Sequence, residues 1–144
     1  MVNYTILSLF VLLALLLSAK KSQKNADHSK RLRYGKISTT LKGHNVRSKG
    51  ERTIADWLYS NKIKYLYEPK LSRFIPDFFL PEHGMVIEYY GLRDAPGKIG
   101  HDYRKKILTK RGYFSSLSIQ LIELYQEDLS RLDIILPEMF LKHS

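Results

Sequence analysis

The stretch from Phe74 to Gly91, FIPDFFLPEHGMVIEYYG, limits most sharply what this chain can fold into. Two short apolar runs rich in Phe, Ile, Val and Tyr flank Pro81-Glu82-His83-Gly84, and Pro and Gly around polar residues mark a turn. The pattern predicts two antiparallel strands of a hairpin. Each strand carries one carboxylate, Asp77 and Glu88. A turn centred on Glu82-His83 sets these two residues opposite each other. Facing residues of an antiparallel pair have Cβ atoms about 4.5–5.5 Å apart and point to the same face. Burying two like charges that close is costly unless something compensates them. A divalent cation does so, because hard cations take carboxylate oxygens as ligands. The alternative is an edge hairpin whose carboxylates face water, and a bulge would shift the register.

At 144 residues the chain suits one domain plus an appendage. It has no Cys, which excludes disulfides and thiolate metal sites. Its 24 Lys and Arg against 14 Asp and Glu give a formal charge of +10, which favours polyanionic partners: nucleic acid or an anionic membrane surface. His44, His83 and His101 have no zinc-ligand spacing, and no phosphate-binding glycine loop occurs.

Residues 2–19, VNYTILSLFVLLALLLSA, carry no charge, and this length lies at the lower edge of what spans a bilayer. No Lys or Arg precedes the run, whereas Lys20, Lys21 and Lys24 follow it. That asymmetry predicts an N-terminal transmembrane helix, a membrane anchor over 1–19, with the body cytoplasmic. A cleaved signal peptide and a secreted protein is the alternative, although the charged leading region is missing and Leu17 stands where a small residue is expected. Residues 20–47 read as a basic linker, either attracted to phosphates or serving only as a solvated tether.

The folded body, 48–144, opens with Ser48-Lys49-Gly50-Glu51, a capping-box pattern, followed by Ile54, Trp57 and Leu58 at helical spacing up to about Asn61. Glu51 lies on the core-facing side, as a capping group or as a carboxylate aimed at the sheet; Asp56 lies off the stripe and is expected in solvent. A short strand over 64–68 stops at Pro69. After the central hairpin, GLRDAPGKIG (91–100) reads as a loop and His101 to about Phe114 as a helix. Tyr103, Ile107, Lys110 and Phe114 form one stripe of that helix, so Lys110 is expected to turn inward, with Lys106 near the same face. Snorkelling at the margin of the stripe is the competing account of Lys110. Residues 119–124 read as a strand, and 128–142 as an amphipathic helix interrupted or kinked at Pro137. This order suits an α/β sandwich with a small mixed central sheet flanked by helices, the carboxylates near one edge.

On these residues the body resembles the PD-(D/E)XK nuclease superfamily, the restriction-endonuclease-like fold. It is closest to the branch of very-short-patch repair endonucleases and the nuclease-like domains at the tails of some DNA helicases. The matching pieces are SKGERTIADWL (48–58), FIPDFFLPEHGMVIEYYG (74–91), the helix carrying Lys110, and LIELYQEDL (121–129). The resemblance implies phosphodiester hydrolysis, with DNA the expected substrate. It implies Asp77 and Glu88 as the paired acids and Glu51 as the additional helix carboxylate. Mg²⁺ or Mn²⁺ would be held by Asp77, Glu88 and the backbone carbonyl of Tyr89. The motif Lys would fall at Tyr90; in this branch it commonly sits on the following helix, which implies Lys110. Lys49, Lys98, Arg104, Lys105 and Lys106 are the expected nucleic-acid contacts. Two further readings stand beside it: a degenerate nuclease fold that binds nucleic acid without cleavage, and a membrane-surface protein that recognises anionic lipid alone.

Overall fold

The computed structural model describes residues 38–142. The expected anchor over 1–19 and most of the expected linker lie outside the described residues. Among the described residues no helix is long and apolar enough to cross a membrane.

The architecture is mixed α/β. A two-stranded ladder, β1 (Ser38–Thr39) and β2 (Asn45–Val46), precedes helix α1 (Lys49–Ser60). Strand β3 (Leu66–Tyr67) and the hairpin β4 (Phe78–Leu80) and β5 (Met85–Tyr89) come next, then helix α2 (Gly97–Ser116) and strand β6 (Gln120–Leu124). A 3₁₀ helix (Gln126–Arg131) leads into α3 (Leu132–Leu141). The sheet runs β3-β4-β5-β6, antiparallel except for the parallel pair β5–β6, which α2 connects.

The hairpin has the register that the turn predicts: Phe78 pairs with Ile87, Phe79 with Val86, and Leu80 with Met85. Because side chains alternate along a strand, the two faces separate cleanly. Phe78, Leu80, Met85 and Ile87 pack with Ile54 and Leu58 of α1 and with Leu132 and Leu136 of α3. Phe79 and Val86 pack with Leu71 and with Phe114 of α2. Fully burying a side chain of this size contributes about 1.5–3 kcal/mol, so a sheet covered on both faces supplies the stability that buried polar groups nearby consume. Trp57 Nε1 donates to Asp133 Oδ1 at 2.6 Å, tying α1 to α3.

The structure corrects four expectations. The fold reaches back into the segment expected as linker: Val46 is buried, and the β1–β2 loop is pinned where the Leu41 N–H donates to Asp56 Oδ1 at 2.6 Å. Asp56 is therefore a structural acceptor rather than a solvated charge. Helix α2 begins at Gly97, inside the stretch expected as loop. Finally, α3 continues through Pro137, and the change of helix type falls earlier, at Arg131–Leu132.

Gly100 explains why the start of α2 was hidden. A Cβ at this position would lie 1.8 Å from the Ala95 carbonyl oxygen, so glycine here permits a close backbone approach rather than a break. Gly112, in the same helix, has open space around its Cβ position. The two substitutions should therefore have opposite signs. Gly112→Ala should stabilise the protein by about 0.5–1 kcal/mol through helix propensity. Gly100→Ala should destabilise it by about 1–3 kcal/mol, as overpacking does. Denaturant unfolding of both variants decides the matter.

Candidate active site

Asp77 immediately precedes β4, and Glu88 lies near the end of β5. Continued by one residue, the hairpin register sets them opposite each other on the face that α2 covers. Both are buried; Glu88 is 1% exposed. Each has a specific partner. Asp77 Oδ2 accepts the N–H of Tyr89 at 2.8 Å, and Glu88 Oε2 accepts from Lys110 Nζ at 2.6 Å. The other oxygen of Glu88, Oε1, is buried with no hydrogen-bond partner. An orphaned carboxylate oxygen in a cleft is costly to leave unpaired and is an open ligand position.

Lys110 reaches the sheet because the stripe it shares with Tyr103, Ile107 and Phe114 faces inward. Ile107 and Phe114 are buried, Phe114 against Phe79 of β4 and Val86 of β5, and the same face carries the lysine stem to Glu88. Tyr103, one turn before Ile107, sets its hydroxyl 3.4 Å from the Tyr89 carbonyl oxygen. At Tyr90, where the sequence motif lacks its lysine, a buried phenol stands edge-on to Tyr103, and burial followed by the Glu88 charge raises its pKa. The ammonium arrives from the helix instead.

Glu51 approaches from α1. Ser48 accepts the Glu51 N–H at 3.1 Å, so half of the capping box forms. The Glu51 carboxylate does not complete it. Its Oε2 accepts the Arg47 N–H at 3.0 Å and the Tyr67 hydroxyl at 2.5 Å. The Arg47 guanidinium pairs with Glu68 and lies 3.8 Å from Asp77 Oδ1. Arg47 and Tyr67 were not legible as site residues: one sits in a basic run of unremarkable composition, the other in a short aromatic strand.

Glu51, Asp77, Glu88, Lys106 and Lys110 all line one open cleft of about 690 Å³. Lys49 and Arg47 also line it. The other expected contacts lie elsewhere. Lys105 lines a neighbouring groove, Lys98 is exposed on the first turn of α2, and Arg104 donates to the Arg93 carbonyl at 3.0 Å, bracing the loop before α2. No three His, Cys, Asp or Glu side chains come close enough to form a metal shell by themselves among the described residues. Asp77 and Glu88 nevertheless fit a hard cation as a pair, with the orphaned Oε1 and the nearby Tyr89 carbonyl, since Mg²⁺ commonly takes one or two carboxylates and keeps several waters.

The electrostatics follow from this geometry. Burial, then the charges of Glu88 and Glu51, hold the Asp77 pKa well above its ordinary 3.8. Burial likewise raises Glu88, against the pull of Lys110. Burial, with Asp77 and Glu88 nearby, pushes the Tyr103 phenol up to about 12. A carboxyl that holds its proton more tightly when folded makes the native state the better proton binder, so stability falls as pH rises. Asp77 costs nothing below its unfolded value of 3.8, and its penalty grows as pH climbs toward the raised folded value. Without divalent ions, Asp77→Asn should therefore gain stability over the parent as pH rises, by up to about 1.4 kcal/mol per pH unit. Paired unfolding curves across the acid-to-neutral range measure this; a pH-independent difference between the two proteins would remove the case for buried charge repulsion.

Comparisons with protein-family models, with curated proteins and with solved structures gave no match for this chain.

Proposed function

We propose that the cleft is the active site of a metal-dependent nuclease of the PD-(D/E)XK type, hydrolysing phosphodiester bonds of nucleic acid, with DNA as the expected substrate. One observation carries the reading: Lys110 Nζ lies 2.6 Å from Glu88, in a cleft that Glu88 shares with Asp77. Two buried acids and one lysine, brought from a hairpin and the helix after it, are the set that the sequence resemblance requires. The order of α1, β3, the hairpin, α2 and β6 around a small mixed sheet accords with a restriction-endonuclease-like fold.

Asp77, Glu88 and the Tyr89 carbonyl would hold Mg²⁺ or Mn²⁺. Such an ion lowers the pKa of water and offsets charge on a phosphate. The chain's own residues do the rest. Asp77 is fixed by the Tyr89 N–H, so one oxygen is held in place before substrate arrives. Lys110 presents a charge beside the position of the attacked phosphate, where negative charge grows as water adds to phosphorus and the P–O bond to the leaving oxygen breaks. Glu51, clamped by Tyr67 and Arg47, is placed to orient that water. Lys49 and Lys106 at the cleft would contact backbone phosphates, which position a nucleic acid without reading its sequence. Residues 2–19 would tether this activity to a membrane, with the nuclease-like domain on the cytoplasmic side.

The second reading, a module that binds nucleic acid without cutting it, is favoured by a single observation: Glu51 shares the cleft with Asp77 and Glu88, yet among the described residues no three such side chains are close enough to hold a metal ion together.

Incubating the chain with labelled DNA and RNA separates the two readings. Cleavage should appear only with Mg²⁺ or Mn²⁺ and stop in EDTA; binding without cleavage under any condition would establish the second. Lys110→Met keeps the apolar stem and removes the charge. It should lower the rate by roughly 100- to 1000-fold, the range for electrostatic donors worth about 2.7–4 kcal/mol, while Lys105→Met should mainly weaken binding in a salt-dependent way. A Lys110→Met variant that cuts at the parental rate would remove Lys110 from the mechanism.

A further inference from the structure

Beside the carboxylate cleft runs a second groove, of about 580 Å³, between Phe74 and α2. Its walls are Phe74 on one side and Asp102, Lys105, Lys106, Thr109 and Lys110 on the other. Lys106 and Lys110 also line the cleft, so the two spaces adjoin. A chain leaving the cleft along this groove passes three ammonium groups and one aromatic ring.

Phe74 is held firmly. The Leu71 N–H donates to the Phe74 carbonyl at 2.9 Å and the Phe74 N–H to the Leu71 carbonyl at 3.2 Å, closing a tight turn. The Tyr113 hydroxyl lies 3.5 Å from the same Leu71 carbonyl. The ring packs against Tyr113 at 4.5 Å between centroids and against Phe114 at 6.3 Å, yet stays only half-buried. The Arg73 guanidinium lies 5.6 Å from the Phe74 ring centre, and the next residue, Ile75, is 51% exposed. The ring thus packs on the core cluster of Leu71, Phe79 and Phe114 and also lines the groove opposite the lysines of α2.

We propose that this groove holds an unpaired nucleic-acid strand, with a base stacked on Phe74 and its flanking phosphates on Lys105, Lys106 and Arg73. The inference rests on the nuclease reading and sharpens it: the substrate is single-stranded, or frayed, on the Phe74 side of the cut. A stacking ring gives its energy only to a base whose face is free, which a paired and stacked duplex does not offer. Positive grooves that track a backbone and aromatic rings that stack successive bases are the two elements of single-strand binding. Asp102 fits the same occupant, since a carboxylate repels phosphate but accepts from the amino group of a base.

The test is equilibrium binding in EDTA, so that no cutting occurs, by fluorescence anisotropy of the full-length chain. The probes are a single-stranded DNA, its RNA counterpart, the duplex, and a strand of the same length whose residues are abasic. The parent should bind the single strands about tenfold or more tighter than the abasic strand, the gain expected for one stacked base. Phe74→Leu keeps the apolar packing and should lose that preference while its melting temperature stays near the parent's. Lys105→Ala should weaken single-strand and abasic probes alike. Equal affinity for abasic and natural strands, or an unchanged preference in Phe74→Leu, overturns the stacking role and leaves the nuclease reading intact. Failure to bind any of the four probes overturns both.

Discussion

Two buried carboxylates set side by side are the constraint around which this molecule is arranged. Asp77 and Glu88 face each other because a four-residue turn fixes the hairpin register, and that register cannot slip by one without sending every core side chain to the wrong face. Their repulsion is offset in part. Lys110 crosses from α2 to Glu88, and the Tyr89 N–H binds Asp77. Burial, and then what remains of that repulsion, raises the Asp77 pKa; burial raises that of Glu88, and one Glu88 oxygen stays unpartnered. A core that packs both faces of the sheet is what lets the protein carry such a site.

The N-terminal ladder is part of that support. Val46 is buried next to the start of α1, and Arg47 then connects Glu51, Glu68 and the neighbourhood of Asp77 through its backbone and its guanidinium. Glu51 and Asp77 are buried, whereas the Arg47 side chain that reaches toward them is 45% exposed. The ten residues before α1 thus belong to the site's scaffold rather than to a tether. On the opposite wall, α2 has two duties. Its inward stripe supplies Phe114 and Ile107 to the core and Lys110 to the cleft, while Lys105 and Lys106 face the groove beside Phe74.

The parts legible in the sequence are those governed by short periods. Alternation along the strands and the Pro-Glu-His-Gly turn gave the hairpin and its register; the i, i+4, i+7 spacing of Tyr103, Ile107 and Lys110 gave the inward face of α2. What escaped was set by contacts between distant segments. Gly100 carries the same local signal whether it breaks a helix or lets it approach another backbone, and only the position of Ala95 distinguishes the two. Asp56 was expected in solvent because its partner, the Leu41 N–H, sits in a segment whose basic composition conceals a turn. Arg47 was hidden for the same reason. The β1–β2 ladder is two residues long on each side, too short for any alternation to register.

The central claim is that Asp77 and Glu88 are held close and buried in order to share a cation. Calorimetric titration of Mn²⁺ or Mg²⁺ into the full-length chain, without nucleic acid, tests it most directly. The account predicts one ion per chain in the parent and none in Asp77→Asn or Glu88→Gln, with both variants still folded. No binding by the parent, or binding unchanged in both variants, would contradict it.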